Sequence, residues 1–273
     1  MKPWAKGYIE YKEHEIARVL REGSFQSANL PAGYGFRLDE RIIEYPWLFS
    51  RLPTGAGRLL DAGSTLNFEY LLDQPVLRNK KIDICTLAPE PRCFWRKGIS
   101  YLYEDLRQLP YSDGLFDWIV CLSTIEHVGM DNAFYTEGRK IAGGRPAAGI
   151  PHAKDAGSAD ESRSKPGDYL IALAELKRVL KPGGTIYLTA PFGKAVDHGW
   201  FQVFDYEMVG NLTRYFQPSE AREHYFLYSA QGWHRCEPAD ASTATIFNIH
   251  TAKGYDPDFA AGARAVFCLD MTK

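Results

Sequence analysis

The sequence predicts an α/β fold, a largely parallel sheet with helices on both faces. Three observations carry this prediction. From residue 58 onward, short apolar segments of strand length alternate with segments of helical periodicity, the pattern of strand–crossover–strand units. FDWIVCL, residues 116–122, is apolar at every position but Asp117 and has the length of a buried strand. Residues 168–180 carry Leu170, Ile171, Leu173, Ala174, Leu176, Val179 and Leu180 at helical spacing and run into Lys-Pro-Gly-Gly, a helix stop.

Along the chain, Ile9, Ile16, Val19 and Leu20 share one helical face between about residues 7 and 22, and Gly23 and Ser24 end that segment. Gly33 and Gly35 mark a turn. A second helix is expected from near Asp39, carrying Ile42, Ile43, Tyr45, Trp47 and Leu48, with Pro46 bending or restarting it. Residues 1–57 thus read as an N-terminal helical extension or cap, joined through Thr54-Gly-Ala-Gly57 to a main domain at 58–273. In that domain strands are expected at 58–62, 81–87, 99–103, 116–122 and 185–190, and helices at 68–77 and 168–180. Residues 129–167 are rich in Gly, Ala, Pro, Ser and charge and lack hydrophobic periodicity, as a lid or binding loop would be. Arg139, Lys140, Arg145, Lys154, Arg163 and Lys165 fall there, suited to clamp an anionic group or simply solvated.

Composition narrows the function. Against 32 basic residues stand 34 acidic ones, a net charge of −2, so the footprint of a dedicated nucleic-acid binder is missing and no nucleic-acid partner is expected. Five cysteines, an odd number without C-x-x-C spacing, argue against a disulfide framework or a thiolate zinc site. The first residues lack the apolar segment of a signal peptide, and the longest apolar runs are strand-sized, so a cytoplasmic protein without membrane association is expected. The oligomeric state is not legible.

Three stretches carry chemistry. In LLDAGSTLNFEYLL, residues 59–72, a strand ends at Asp61, a small-residue turn follows and a helix begins, so backbone at the turn can approach a ligand closely. A dinucleotide oxidoreductase would carry G-x-G-x-x-G there, and only Gly63 is present. EDLRQLPYSDGLFDWIVCLSTIEHVG, residues 104–129, and ELKRVLKPGGTIYLTAPFG, residues 175–193, complete the set. In this order and spacing the three resemble class I S-adenosylmethionine-dependent methyltransferases, over roughly residues 57–193. EYPW near residue 45, the Asp-Ala-Gly turn and Pro-Phe-Gly look, more loosely, like bacterial methyltransferases of polysaccharide or glycan biosynthesis.

The resemblance implies a Rossmann-like doubly wound sheet of seven strands, mostly parallel with the last antiparallel, and S-adenosylmethionine as cofactor. By the same resemblance, the backbone at Ala62, Gly63 and Ser64 would approach methionine and ribose, and Asp61 would hold the amino group directly or through water. A carboxylate after the second strand would take both ribose hydroxyls, Asp83 or alternatively Glu90. Asp105 and the backbone of Leu106 would face the adenine, and Leu122 and Ser123 the methionine. The sequence departs from the family's D-x-G-x-G-x-G: Thr65 and Asn67 replace two glycines. Ser64, Thr65 and Asn67 thereby offer hydrogen bonds where the family uses bare backbone. The departure also motivates a second reading, a catalytically inactive fold that binds a ligand or partner.

Methyl transfer to a hydroxyl needs alignment and a base. His127, after the central strand, is the first candidate, with Glu126 as orienting partner or alternative base. His198, past the fifth strand, is the second, with Asp197 beside it. Either ring also reads as a packing or solvated histidine. His224 and His234, among Tyr225, Phe226, Tyr228 and Trp233, read as a substrate wall or as core and hairpin. No metal-ligand set stands out. The expected acceptor is a small molecule or saccharide. The N-x-P-P-[FYW] signature of amino-group methylation is absent, Ser123-Thr-Ile-Glu standing there instead.

Overall fold

The computed structural model describes residues 1–132, 165, 167–249 and 251–273. The predicted insertion, with Arg139, Lys140, Arg145, Lys154 and Arg163, lies outside them except at its two ends. The main sheet has eight strands: β1 (Gly57–Ala62), β2 (Lys80–Thr86), β3 (Ser100–Tyr103), β4 (Phe116–Leu122), β5 (Leu180–Pro191), β8 (Glu220–Ser229), β9 (Gly232–Cys236) and β10 (Ala265–Thr272). Their order is β3-β2-β1-β4-β5-β10-β8-β9. β1 to β5 are parallel, and β10, the last in sequence, inserts antiparallel between β5 and β8. This is the Rossmann-like, doubly wound sheet expected, with one strand more. The extra strand is β9, which closes a hairpin on β8 through two turn residues between Ser229 and Gly232 and forms the edge. β6 (Val196–Asp197) and β7 (Gln202–Val203) make a separate small ribbon.

Alternation along the strands divides the core in two. Leu60, Cys121, Ile186 and Phe267 point to one face, covered by α4 (Tyr169–Val179) and α5 (Tyr206–Phe216) through Leu173, Leu176, Leu212 and Phe216. Leu59, Val120, Tyr187 and Cys268 point to the other, covered by α1 (Tyr8–Glu22) and α2 (Arg41–Phe49) through Ile16, Val19, Ile43 and Trp47. The N-terminal helices are therefore one of the two layers over the sheet.

Three local expectations change. Pro46 does not restart α2, which runs through it. A proline at 46 cannot donate to the Ile42 carbonyl four residues back, and the Tyr34 hydroxyl donates to that oxygen instead, at 2.8 Å. The helix expected at 68–77 is a single turn, α3 (Glu69–Leu72), followed by a 3₁₀ turn at Pro75–Leu77, because Gln74 before the proline is driven extended, ψ 136°. Lys-Pro-Gly-Gly does not separate helix from strand. β5 already begins at Leu180, paired with Phe116, and the chain bulges before Thr185 pairs with Trp118. A short α6 (Pro238–Ala241) follows β9.

Arg178, in the same stretch, is a clamp. Its guanidinium donates to the carbonyls of Leu109 and Tyr111 and to Asp113, each at 2.7 Å, and is held by Glu175, which also accepts from the Leu109 N–H. It thus fixes the loop between β3 and β4 that carries Asp105. Arg178→Ala is expected to cost about 2 kcal/mol, the scale of lost charged hydrogen bonds at a half-exposed site. A lowered urea midpoint checks this; an unchanged midpoint would mean other contacts hold the loop.

Candidate active site

Parallel strands bring Ala62, Thr86, Leu122 and Pro191 to one edge of the sheet, where ligands bind in folds of this kind. After β1 the chain turns through two left-handed residues, Gly63 (φ 119°) and Ser64 (φ 61°). A Cβ at Gly63 would lie 2.1 Å from Thr124 Oγ1, so the two loops meet with no room for a side chain. Asp61 is wholly buried and closes the turn: its carboxylate accepts from the N–H of Thr65 (3.1 Å), the Thr65 hydroxyl (3.1 Å) and the N–H of Leu66 (2.8 Å). Burial pushes this carboxyl up to about 7, against the lowering effect of those bonds. Both oxygens of Asp61 serve the turn, so the carboxylate supports the loop that a ligand would approach.

The residues standing for glycine are likewise turned inward. The Thr65 hydroxyl is spent on Asp61, and its carbonyl accepts from Tyr45 of α2 at 2.8 Å. Asn67 donates to the Arg92 carbonyl (2.9 Å) and accepts from the Tyr101 hydroxyl (2.8 Å), tying the turn to the loop after β2. Ser64 differs: its hydroxyl oxygen is buried without a hydrogen-bond partner. Ala62 is buried within β1.

The two carboxylates weighed for the second strand separate clearly. Asp83 lies inside β2, opposite Leu60 and Ser100, and accepts from Arg58 Nε at 2.8 Å. It faces away from the strand end, and the ribose role implied for it does not suit that position. Glu90 follows the strand end and lies close enough for its charge to raise Asp61. Asp105 follows β3 and is gripped by Arg107 through Nε (3.1 Å) and Nη2 (2.7 Å), which holds its carboxyl below the usual range against the effect of burial. Arg107 also bonds Asp168, ahead of α4. The side chain of Leu106 is buried in the core.

At the end of β4 the Leu122 carbonyl accepts from the Thr124 hydroxyl (3.0 Å) and Arg41 (3.4 Å). Ser123 is left-handed (φ 37°), and its N–H donates to the Thr189 carbonyl at 3.0 Å. A 3₁₀ turn, Ile125–His127, follows. His127 Nδ1 lies 2.8 Å from the Trp200 carbonyl. A carbonyl only accepts, so Nδ1 carries the hydrogen and Nε2 the lone pair. Burial, with Arg41 nearby, pushes His127 down to about 4, against the carbonyl's opposite effect. Glu126 is buried, its Oε1 3.8 Å from His127 Nε2, beyond hydrogen-bond range, and its Oε2 has no hydrogen-bond partner. Burial drives its carboxyl well above the usual range.

His198 is exposed on the turn between β6 and β7, its ring stacked on Phe201 at 4.5 Å. His127 meets the same ring at 6.0 Å, so Phe201 brings both predicted histidines to one place. His224 and His234 belong to the β8–β9 hairpin. Tyr225, Phe226, Tyr228 and Trp233 are buried, which makes that group core rather than a substrate wall. Among the described residues no group of three His, Cys, Asp or Glu could hold a metal, and no helix is long and apolar enough to cross a membrane.

Sequence reasoning missed Arg41 and Glu44. Both lie on α2, and Glu44 is fully buried beneath the end of β4. The available signal was two opposite charges three residues apart in a helix otherwise apolar all round.

No protein-family model and no curated protein matches the chain. Among solved structures it is similar to the 1,6-didemethyltoxoflavin-N1-methyltransferase of Burkholderia thailandensis, solved with 1,6-didemethyltoxoflavin and S-adenosylhomocysteine. Identity is 12%, over 97% of this chain and 89% of that one, with a TM-score of 0.46. An S-adenosylmethionine-dependent methyltransferase from Thermotoga maritima is 16% identical over 95% and 99% of the two chains, TM-score 0.45. The [4+2]-cyclase SpnF is 14% identical over 95% and 93%, TM-score 0.46. Independently of these likenesses, the chain's own strand order and its antiparallel last strand give it a Rossmann-like, doubly wound sheet.

Proposed function

We propose that this protein is an S-adenosylmethionine-dependent methyltransferase acting on a hydroxyl of a small molecule, a saccharide in particular. The observation that carries the reading is His127. Its Nδ1 hydrogen is committed to the Trp200 carbonyl, so Nε2 carries the lone pair of a neutral ring on the turn that follows the end of β4. Such a nitrogen can take the proton of an acceptor hydroxyl. The same loops suit the cofactor. The Gly63–Ser64 turn has the left-handed backbone of a tight turn after a strand, and the buried Ser64 hydroxyl in it has no hydrogen-bond partner. Glu90 supplies the carboxylate a ribose diol calls for, in preference to Asp83. Asp105 keeps lone pairs for an adenine amino group despite Arg107, with the backbone of Leu106 alongside, and Ser123 borders the methionine end. Bound there, S-adenosylmethionine supplies an activated methyl group. His127 holds the proton at Nε2, and Phe201 with His198 walls the acceptor side.

Calorimetric titration with S-adenosylhomocysteine tests this. Saturable one-to-one binding is expected, weakened about tenfold or more in Glu90→Ala, on the scale of a lost charged hydrogen bond. Asp83→Ala should lower stability and leave the affinity alone. Transfer of labelled methyl to a saccharide panel then tests the acceptor. Folded protein that binds no S-adenosylhomocysteine would favour the inactive, ligand- or partner-binding reading, which the inward-turned Thr65 and Asn67 motivate.

A further inference from the structure

The turn that presents Glu126 and His127 hangs from one residue on another element. Glu44, from α2, is wholly buried, and each of its oxygens is engaged. Oε1 accepts from the Ser123 hydroxyl and, at 2.6 Å, from the Thr189 hydroxyl, and Oε2 accepts from Arg41 at 2.8 Å. Arg41 in turn donates to the Leu122 carbonyl. One carboxylate therefore joins α2, the end of β4 and β5. A buried charge is tolerated only when fully partnered, and here every partner lies at or beside the sheet edge where His127 stands.

Ser123 explains why the joint matters. It sits in the left-handed region, which an L side chain adopts only when its surroundings impose it. Its N–H is held by Thr189 through both the carbonyl and the hydroxyl oxygen (3.0 and 3.1 Å), and its side chain by Glu44. That reversal directs the chain from β4 into the Ile125–His127 turn. The charged groups around the turn are Arg41, Glu40 and Glu44 from α2 and its cap, and Glu126 on the turn itself. Trp200 and Phe201 face His127 from the other side.

We propose that Glu44 is the positioning residue of this site: through Ser123, Thr189 and Arg41 it holds the end of β4 in the conformation that sets His127 Nδ1 on the Trp200 carbonyl and Nε2 toward the acceptor. The proposal rests on the reading of His127 as base, but its geometric content is testable without catalysis.

The test is a ¹⁵N-resolved NMR titration of the His127 ring, assigned by its loss in His127→Gln. In the native protein His127 should stay neutral, hydrogen on Nδ1, to well below the ordinary imidazole range. In Glu44→Gln two effects have opposite signs. Losing the Glu44 charge alone leaves Arg41 uncompensated and lowers the His127 midpoint further. Losing the positioning frees the ring into solvent and raises the midpoint toward its ordinary value, with mixed tautomers. We expect a rise of about one pH unit or more; a fall, or no change, overturns the proposal. Thr189→Val removes the hydroxyl that bonds Glu44 and Ser123 but keeps the charge, and should give a smaller rise. If Glu44→Gln does not fold, an unmoved His127 in folded Thr189→Val overturns it instead. Failure of the native protein to bind S-adenosylhomocysteine would sink the methyltransferase reading and leave this titration to decide the positioning. Where turnover is measurable, Glu44→Gln should lower kcat about a hundredfold with little change in the cofactor KM.

Discussion

Gly63→Ala is expected to lose on the order of 3 kcal/mol of stability and to abolish cofactor binding. The sum has two parts, a left-handed φ of 119° that L residues avoid and a new methyl 2.1 Å from Thr124 Oγ1 and 2.5 Å from Thr124 Cγ2. Both loops are anchored, by Asp61 below and by Glu44 through Ser123 above, so neither can give way cheaply. Urea unfolding measures the loss, and titration with S-adenosylhomocysteine measures the binding. Adding Thr124→Gly should recover the steric share and leave the backbone share, which apportions the two. A midpoint equal to that of the native protein would show that the two loops are not packed as described.

His127→Ala should lower turnover by about 10²–10⁴, the usual share of a positioned base, and leave S-adenosylhomocysteine affinity unchanged. The pH dependence follows from the ring's environment. With His127 held down to about 4, Nε2 stays unprotonated through the neutral range. The acid limb of the native rate should therefore fall near pH 4–5 and not near the ordinary imidazole value of about 6.5. The same shift acts on stability. A histidine whose folded pKa lies below its unfolded value contributes stability that is present above about pH 6.5 and lost as pH falls through to about 4. His127→Gln should flatten that part of the melting-temperature profile. Undiminished turnover in His127→Ala would move the role to His198, which shares Phe201 with it.

Strands were the most legible elements. Residues 58–62, 81–87, 99–103 and 116–122 all lie in strands within a residue or so of the expected ends, because buried parallel strands are short apolar runs bounded by turn residues. Helix ends near prolines were less so. Pro46 broke the local rule without breaking the helix, since the orphaned Ile42 carbonyl found Tyr34, a partner eight residues upstream of it. Gln74-Pro75 obeyed the rule and cut a helix short. β9 was not foreseen as a strand of the main sheet, since an edge strand is specified by the neighbour it pairs with as much as by its own residues.

At the site, the sequence named the loops and the types of chemical group, and local pattern was enough for that. The turn after Asp61, the Asp105 loop and the Glu126–His127 turn each follow a strand end, and parallel strands necessarily deliver such ends to one edge. Which way each side chain faces depended on partners distant in the chain. Asp61 and Asn67 read as ligand-facing, yet Leu66 and Thr65 claim the first and Tyr101 and Arg92 the second. Asp83 reads like Glu90, yet Arg58 holds it mid-strand. Glu44 carried no motif at all and became buried beneath Ser123 because α2 packs across the sheet edge. Periodicity and turn chemistry are properties of neighbours in sequence; the partner of a buried polar group is set by packing between elements, and only the assembled fold brings those atoms within bonding distance.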